Sequence, residues 1–256
     1  MRDAARIAYA QARVQARFSQ RPPDAFWREL EAGRELQHLM ELARATRAGA
    51  AMESVTATLD PHTLEARLAD RWAQTCAEIA GWYPQAWRTA MCWLAWLPWL
   101  PVLTWLARVE PTPPWMQAGH PVGLLGRLPP AERMQALAHG PLASLENAWA
   151  GGESLAEAWH RHWSDTWPVA PRTRERRALE RLDAILRSLT PGDPDPAGAG
   201  FDALVERAQV AATRVFRRLA GTPVAGMAML VLLGLDQQRL RAALALARSF
   251  GPVRTA

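Results

Sequence analysis

Histidines and carboxylates are the side chains in this sequence that could bind a metal ion or transfer a proton. His160 and His162 stand two residues apart in the run WHRHW. On a helix such positions point to different faces, so we interpret them as surface or capping histidines rather than as joint ligands of a metal ion. Two pairs of neighbouring acids also occur (Glu29 with Glu31, Asp193 with Asp195). Their surroundings are polar and do not predict the burial that a catalytic carboxylate pair requires.

Most nucleophile and cofactor motifs are missing from the sequence. It contains no glycine-rich phosphate loop, no GxSxG, no HExxH and no CxxC. All 30 basic residues are arginine, which excludes mechanisms that need a lysine. The two cysteines, Cys76 and Cys92, lie in apolar helical surroundings and are predicted to be buried free thiols in a reducing compartment. The sequence therefore predicts a protein that is not an enzyme and holds neither a cofactor nor a metal ion.

Composition and charge indicate a folded protein with an ion-paired surface. Of the 256 residues, 49% are hydrophobic and 21% are charged, which is enough apolar material for a substantial core. The formal net charge is only +5, and acidic residues are interleaved with the arginines, so a nucleic-acid groove is not favoured. The first twenty residues are interrupted by charges and do not resemble a signal peptide. These features predict a cytoplasmic location.

The residue pattern predicts an all-α fold, a bundle-like array of helical hairpins. Alanine, leucine, arginine and glutamate dominate, and alternating β-branched runs are missing. Proline and the capping residues divide the chain into predicted helices at 2–19, 24–45, 61–81, 84–97, 98–108, 131–139, 142–150, 155–167, 172–189, 201–220 and from 223 onwards. The proline- and glycine-rich stretch between Glu110 and Pro130 predicts a boundary between an N-terminal region (1–125) and a C-terminal region (126–256), and residues 191–200 read as a flexible connector.

One segment, residues 89–107, carries no charge and contains four tryptophans. Its length is close to that of a membrane-spanning helix. Pro98 and Pro101 remove backbone donors, and the tryptophans are spread along the segment instead of gathering at its ends, so a buried, kinked helical hairpin is the favoured interpretation. The apolar run from Val224 to Leu235 is too short to span and is predicted to be a core helix. With 13 tryptophans in the chain, the alternatives of core packing and of partner contact both stay open.

Two stretches at opposite ends of the chain together point to a family. The first is IAYAQARVQAR, which places Tyr9 ahead of an alanine-arginine pair at Arg13 and a second basic residue at Arg17. The second is TPVAGMAMLVLLGLDQQRLRAALALAR, in which Pro223 precedes an apolar run and Asp236 is followed by a Leu-Arg pair. These stretches resemble the opening and closing helices of the C-subunit of archaeal and bacterial V-type ATPases, which is similar to the d-subunit of the eukaryotic enzyme.

The resemblance implies a non-catalytic, funnel-shaped, all-helical subunit with internal pseudo-repeats. Such a subunit seats the rotor shaft on the membrane ring, couples ATP hydrolysis or synthesis to ion transport, and is peripheral on the cytoplasmic face of the membrane. By the same resemblance, the partner-contacting residues are Arg13, Arg17, Asp236, Gln238, Arg239 and Arg241. At least half of these six are expected to form intramolecular ion pairs, as most exposed helical charges do. This chain is shorter and richer in tryptophan than usual members, and the alternative is a membrane-anchored or monotopic helical protein that uses residues 89–107 as its anchor.

Overall fold

Helices make up all the regular secondary structure that the computed structural model describes, and this confirms the predicted all-α class. The described residues are 2–46, 56, 59–108, 112–117, 122–169, 171–189 and 200–250. The helices are α1 (Arg2–Ser19), α2 (Asp24–Ala32), α3 (Leu36–Arg44), α4 (Pro61–Trp82), α5 (Gln85–Trp93), α6 (Leu100–Leu106), α7 (Gly123–Arg127), α8 (Pro130–Ala138), α9 (Glu146–Trp149), α10 (Leu155–Asp165), α11 (Thr173–Leu189), α12 (Phe201–Arg218) and α13 (Pro223–Phe250). The acid pair Asp193 and Asp195, and most of the predicted connector 191–200, lie outside the described residues.

Helix α4 begins where the sequence predicts. The Asp60 carboxylate accepts hydrogen bonds from the backbone N–H groups of His62 and Thr63, both at 3.0 Å, and Pro61 occupies the first helical position. This arrangement satisfies donors that every helix leaves free at its N-terminus. The predicted apolar stripe is buried along its whole length (Leu64, Leu68, Trp72, Cys76 and Ile79). Both cysteines are free, as predicted, but Cys92 is exposed because it lies on the outer side of α5 between two buried neighbours.

The predicted helix 24–45 is two helices, α2 and α3, because the chain turns at Gly33. The backbone of Gly33 is extended (φ −66°, ψ 146°), and a Cβ at this position would lie 2.2 Å from the Cδ2 atom of Leu39. Glycine therefore lets α3 fold back closely onto the end of α2. The two helices form a small second core with the first turns of α4 and the last turns of α13.

Helix α13 is the central element of the fold. Its first half is apolar on all sides, from Val224 to Leu232, and is buried on all sides as well, as expected for a core helix. It packs against α12, α4, α1, α11, α5, α2 and α3. The main core around it contains residues from both predicted regions, and Trp163 Nε1 donates to the carbonyl of Ala90 at 2.9 Å across the boundary near residue 125. The division into 1–125 and 126–256 stays a prediction.

The uncharged tryptophan-rich segment is helical throughout but does not fold back as the predicted hairpin. Its middle, Leu94–Trp99, is a 3-10 helix that contains Pro98, and the flanking residues Trp93 and Leu100 keep right-handed helical dihedrals. Pro98 has no backbone N–H, and its ring would clash with the carbonyl four residues earlier in an α-helix, so the α pattern is interrupted in this stretch. The stretch Gln85–Leu106 is long and apolar enough to cross a membrane by length and composition. An 18-residue part of it has a mean hydropathy of 1.3, and 44% of that part is buried inside the protein.

Candidate interaction sites

An apolar cleft of about 840 Å³ lies between α4, the tryptophan-rich segment and α13. Parts of α11 and α12 close it at the side, through Leu186, Leu189 and Val205. The lining is mostly leucine, alanine, proline, valine and tryptophan, and includes Ala66, Leu68, Ala69, Trp72, Leu94, Leu97, Pro98, Trp99, Val102, Trp105, Leu230 and Val231. Its volume and its apolar lining are typical of a ligand pocket.

Two hydrogen bonds fix the walls of this cleft. Trp72 Nε1 donates to the carbonyl of Leu94 at 2.9 Å and ties α4 to the 3-10 helix. The amide of Gln237 donates to the carbonyl of Leu68 at 2.7 Å and ties α13 to α4. Both acceptors are backbone carbonyls, so the spacing of the walls depends on main-chain positions. The cleft is therefore a preformed feature of the helix packing.

The polar residues of the cleft are concentrated where the first turns of α4 meet the second half of α13. Arg241 Nε forms an ion pair with Glu65, and both side chains are about one third exposed. His62 and Gln238 line the cleft nearby. Arg239 is not part of the cleft lining. Its guanidinium pairs with Glu31 at 2.6 Å and lies over the ring of Trp27, with Cζ 4.7 Å from the ring centre. These two ion pairs thus join the second half of α13 to α2 and α4.

Asp236 is buried and forms the most enclosed ion pair of the predicted set. Both of its carboxylate oxygens accept hydrogen bonds from Arg21, at 2.6 and 2.7 Å, and Gln209 donates to one of them at 3.3 Å. Burial raises the pKa of the Asp236 carboxyl, although the Arg21 guanidinium opposes that shift. A bidentate pair of this kind fixes orientation, so it sets how the chain after α1 sits against α13.

Arg13 and Arg17 lie on the outer face of α1, next to the end of α4. Both guanidinium groups cover the half-buried ring of Trp82, at 4.6 and 5.1 Å from its centre. Both also pair with Glu78, at 3.8 Å for Arg13 and 2.5 Å for Arg17. Tyr9 is 54% exposed and accepts a hydrogen bond from Arg13. The result is a surface cluster of arginine and aromatic side chains, a composition common at protein interfaces.

The prediction that His160 is a surface or capping residue is wrong. Its side chain is 1% exposed, and its Nδ1 atom lies 2.7 Å from the Oδ1 atom of Asp183 on α11. Arg187 binds the other oxygen of Asp183 at 2.8 Å, and burial, which opposes ionisation, is outweighed by these two partners, so the pKa of Asp183 is lowered. The four-residue spacing of Trp159 and Trp163 indicates a buried face of α10 that includes His160. Nothing in the sequence indicates that its partner is Asp183 on α11.

The described residues contain no group of three or more histidine, cysteine or acidic side chains arranged to hold a metal ion. His162, the other member of the predicted pair, packs edge-on against Trp93 at 4.3 Å, and burial lowers its pKa. His120 lies outside the described residues. The histidines that the sequence singled out are therefore not brought together.

The structure places five of the six predicted partner-contacting residues in intramolecular ion pairs (Arg13, Arg17, Asp236, Arg239 and Arg241), and the sixth, Gln238, on the lining of the cleft. Contact with a partner stays a prediction for all of them. No protein-family model matches this sequence, and neither a curated protein nor a solved structure matches it.

Proposed function

We propose that this chain is a non-catalytic central-stalk subunit of a rotary V-type ATPase, similar to the C-subunit of the archaeal and bacterial enzymes. In that role it seats the rotor shaft on the membrane ring and transmits rotation between them. It binds at the cytoplasmic face of the membrane through other subunits and carries no active site of its own. The observation that carries the proposal is that α1 and α13, the two helices on which the resemblance rests, pack against each other.

The opening and closing helices, far apart in sequence, pack side by side. Ala10 and Val14 of α1 are fully buried in the same core as the first half of α13. Gln11 accepts a hydrogen bond from the backbone N–H of Gly221, just before α13, at 2.8 Å, and Arg21 binds Asp236 at the other end of the contact. The two stretches that together carry the resemblance thus form one packed unit, which supports a common role for both. A rigid unit of packed helices also suits a part that transmits torque.

The proposal is tested by isolating the complex that contains this chain. An affinity-tagged chain, expressed in its own cells and extracted in mild detergent, should co-purify with ATPase catalytic subunits, rotor-shaft subunits and ring subunits in fixed ratios. Mass spectrometry of the purified complex identifies them. Recovery of the chain without any ATPase subunit, under conditions in which the ATPase itself stays intact, would contradict the proposal.

Arg241 provides a sharper test because its intramolecular partner is known. Arg241→Glu places two acids together where an exposed ion pair stood, and loss of that pair costs at most about 1 kcal/mol. We expect the variant to stay folded but to lose assembly with the ATPase. The charge-swapped double variant, Glu65→Arg with Arg241→Glu, is the matched control, because it restores the internal pair and leaves the altered charge at position 241. If the double variant assembles normally, Arg241 acts only within the chain.

A second function is favoured by the length and composition of Gln85–Leu106, which meet the requirements of a membrane span. In this alternative the chain is a membrane-anchored or monotopic protein, and the exposed parts of the segment enter the lipid. Alkaline carbonate extraction of membranes distinguishes the two functions. A stalk subunit is released with the other peripheral subunits, whereas an anchored chain stays in the membrane pellet when no ATPase subunits are present.

A further inference from the structure

We propose that the apolar cleft between α4, the tryptophan-rich segment and α13 binds a single long acyl chain with an anionic head, such as a fatty acid. The proposal does not depend on the ATPase function. It rests on the shape of the cleft, on its lining and on the charges at its edge.

The cleft follows α4 and α13 along part of their length. Helices α4 and α13 run antiparallel along it, since Glu65 pairs with Arg241, Leu68 with Gln237, and Trp72 lies against Gly234. The lining extends along α13 from Leu230 to Arg241, which corresponds to roughly 15 Å of helix. On one side of the cleft, the hydrogen bond from the Trp72 indole to the Leu94 carbonyl joins α4 to the 3-10 helix. The length of the lining accommodates an extended hydrocarbon chain.

A helix of a partner protein is the other occupant that such an apolar cleft could take. An α-helix with its side chains is about 10–12 Å across, whereas an acyl chain is thin and flexible and carries one anionic end. Hydrogen bonds from Trp72 to Leu94 and from Gln237 to Leu68 fix the walls, and a thin ligand enters without moving them. A cation at the edge of the cleft, unpaired within the described residues, also matches the single charge of a fatty acid.

The edge of the cleft supplies a cation for the head group. Arg108, just beyond α6, lines the cleft, is exposed and forms no ion pair with any residue in the described part of the chain. The other arginine of the lining, Arg241, is already paired with Glu65. Leu97, Pro98 and Trp105 line the cleft and are half-exposed, so part of its apolar lining faces solvent. An anionic amphiphile would pair with Arg108 through its head group and cover the apolar lining with its hydrocarbon chain.

Tryptophan fluorescence gives a direct test, because Trp72, Trp99 and Trp105 line the cleft. The full chain is titrated with a fatty acid that carries bromine on its chain, below its critical micelle concentration. We expect saturable quenching with one site per chain. In competition, decanoate, dodecanoate and tetradecanoate should bind with increasing affinity, about fourfold for each added methylene that is buried. Non-saturable quenching, or affinity that is independent of chain length, overturns the proposal. A protein segment would then be the favoured occupant of the cleft.

Variants locate the binding in this cleft. Gly234→Leu on α13 and Val102→Trp on α6 fill it from two different helices and should abolish saturable quenching, whereas Val210→Trp, on the exposed face of α12, should not. Circular dichroism checks that each variant is folded, and the chain-length series on the unmodified protein does not depend on them. Arg108→Gln should weaken fatty-acid binding about threefold to fivefold and leave the methyl ester unaffected, with Arg127→Gln as the matched control. Wild-type affinity in both filled variants would refute the site.

Discussion

Replacement of Gly226 by alanine should destabilise the protein, although alanine is normally the better residue within a helix. Gly226 lies in the buried half of α13, directly against the ring of Tyr83. A Cβ at this position would be 2.4 Å from Cε2, 2.6 Å from Cζ and 2.7 Å from the hydroxyl oxygen of that ring. Tyr83 is fully buried and follows the end of α4, so its ring cannot swing into solvent.

The expected magnitude follows from two opposing effects. Alanine in place of glycine inside a helix gains about 1 kcal/mol. Forcing an extra methyl group into a close-packed site costs about 1 to 3 kcal/mol, and contacts as short as these justify the upper end of that range. The net loss is then about 2 kcal/mol, which corresponds to a decrease in Tm of roughly 4 to 8 °C for a domain of this size.

Gly234→Ala is the matched control in the same helix. There the nearest atom to a new Cβ is Cη2 of Trp72 at 3.4 Å, which is an ordinary contact. This variant should gain up to about 1 kcal/mol and melt a few degrees higher. Chemical denaturation and thermal melting of the two variants beside the parent measure the difference. If Gly226→Ala is as stable as Gly234→Ala, the close approach of α13 to Tyr83 is not what requires glycine, and the reasoning fails.

Three further substitutions test individual groups. Tyr83→Phe removes a buried hydroxyl that has no hydrogen-bond partner within the described structure, and it should raise the free energy of unfolding by about 1 kcal/mol; a loss of that size would reveal a missing partner. Asp60→Ala should cost about 1 kcal/mol in denaturant melts, because the N-cap of α4 is lost. For Asp183, whose pKa is lowered in the folded state, the stabilisation is present at neutral pH and is lost as the pH falls through the folded value. Asp183→Asn should therefore be less stable than the parent at neutral pH and lose less stability below about pH 4; parallel pH profiles would contradict this.

Much of the fold follows from local sequence. The Asp-Pro start of α4, its stripe from Leu64 to Ile79 and the apolar first half of α13 are properties of a few neighbouring residues, because helix capping and helical periodicity act over one to three turns. The all-α class follows from the same signals. Local signals were insufficient at Gly33, where the turn depends on the contact with Leu39, and at Pro98, where a 3-10 stretch avoids the sharp break that a hairpin requires.

The sites were decided by tertiary structure. The sequence singled out five charged residues that the structure places in ion pairs: Arg13, Arg17, Asp236, Arg239 and Arg241. Their partners lie 61 to 215 positions away in sequence, such as Glu78 for Arg17 and Arg21 for Asp236. His160 is buried against Asp183 for the same reason. The apolar cleft has no local signature at all, because its walls come from several helices that are far apart in sequence, and their apolar residues look like any other core positions. Periodicity determines which face of a helix is buried, whereas only the packing of several helices decides whether that face meets another side chain or an open cleft.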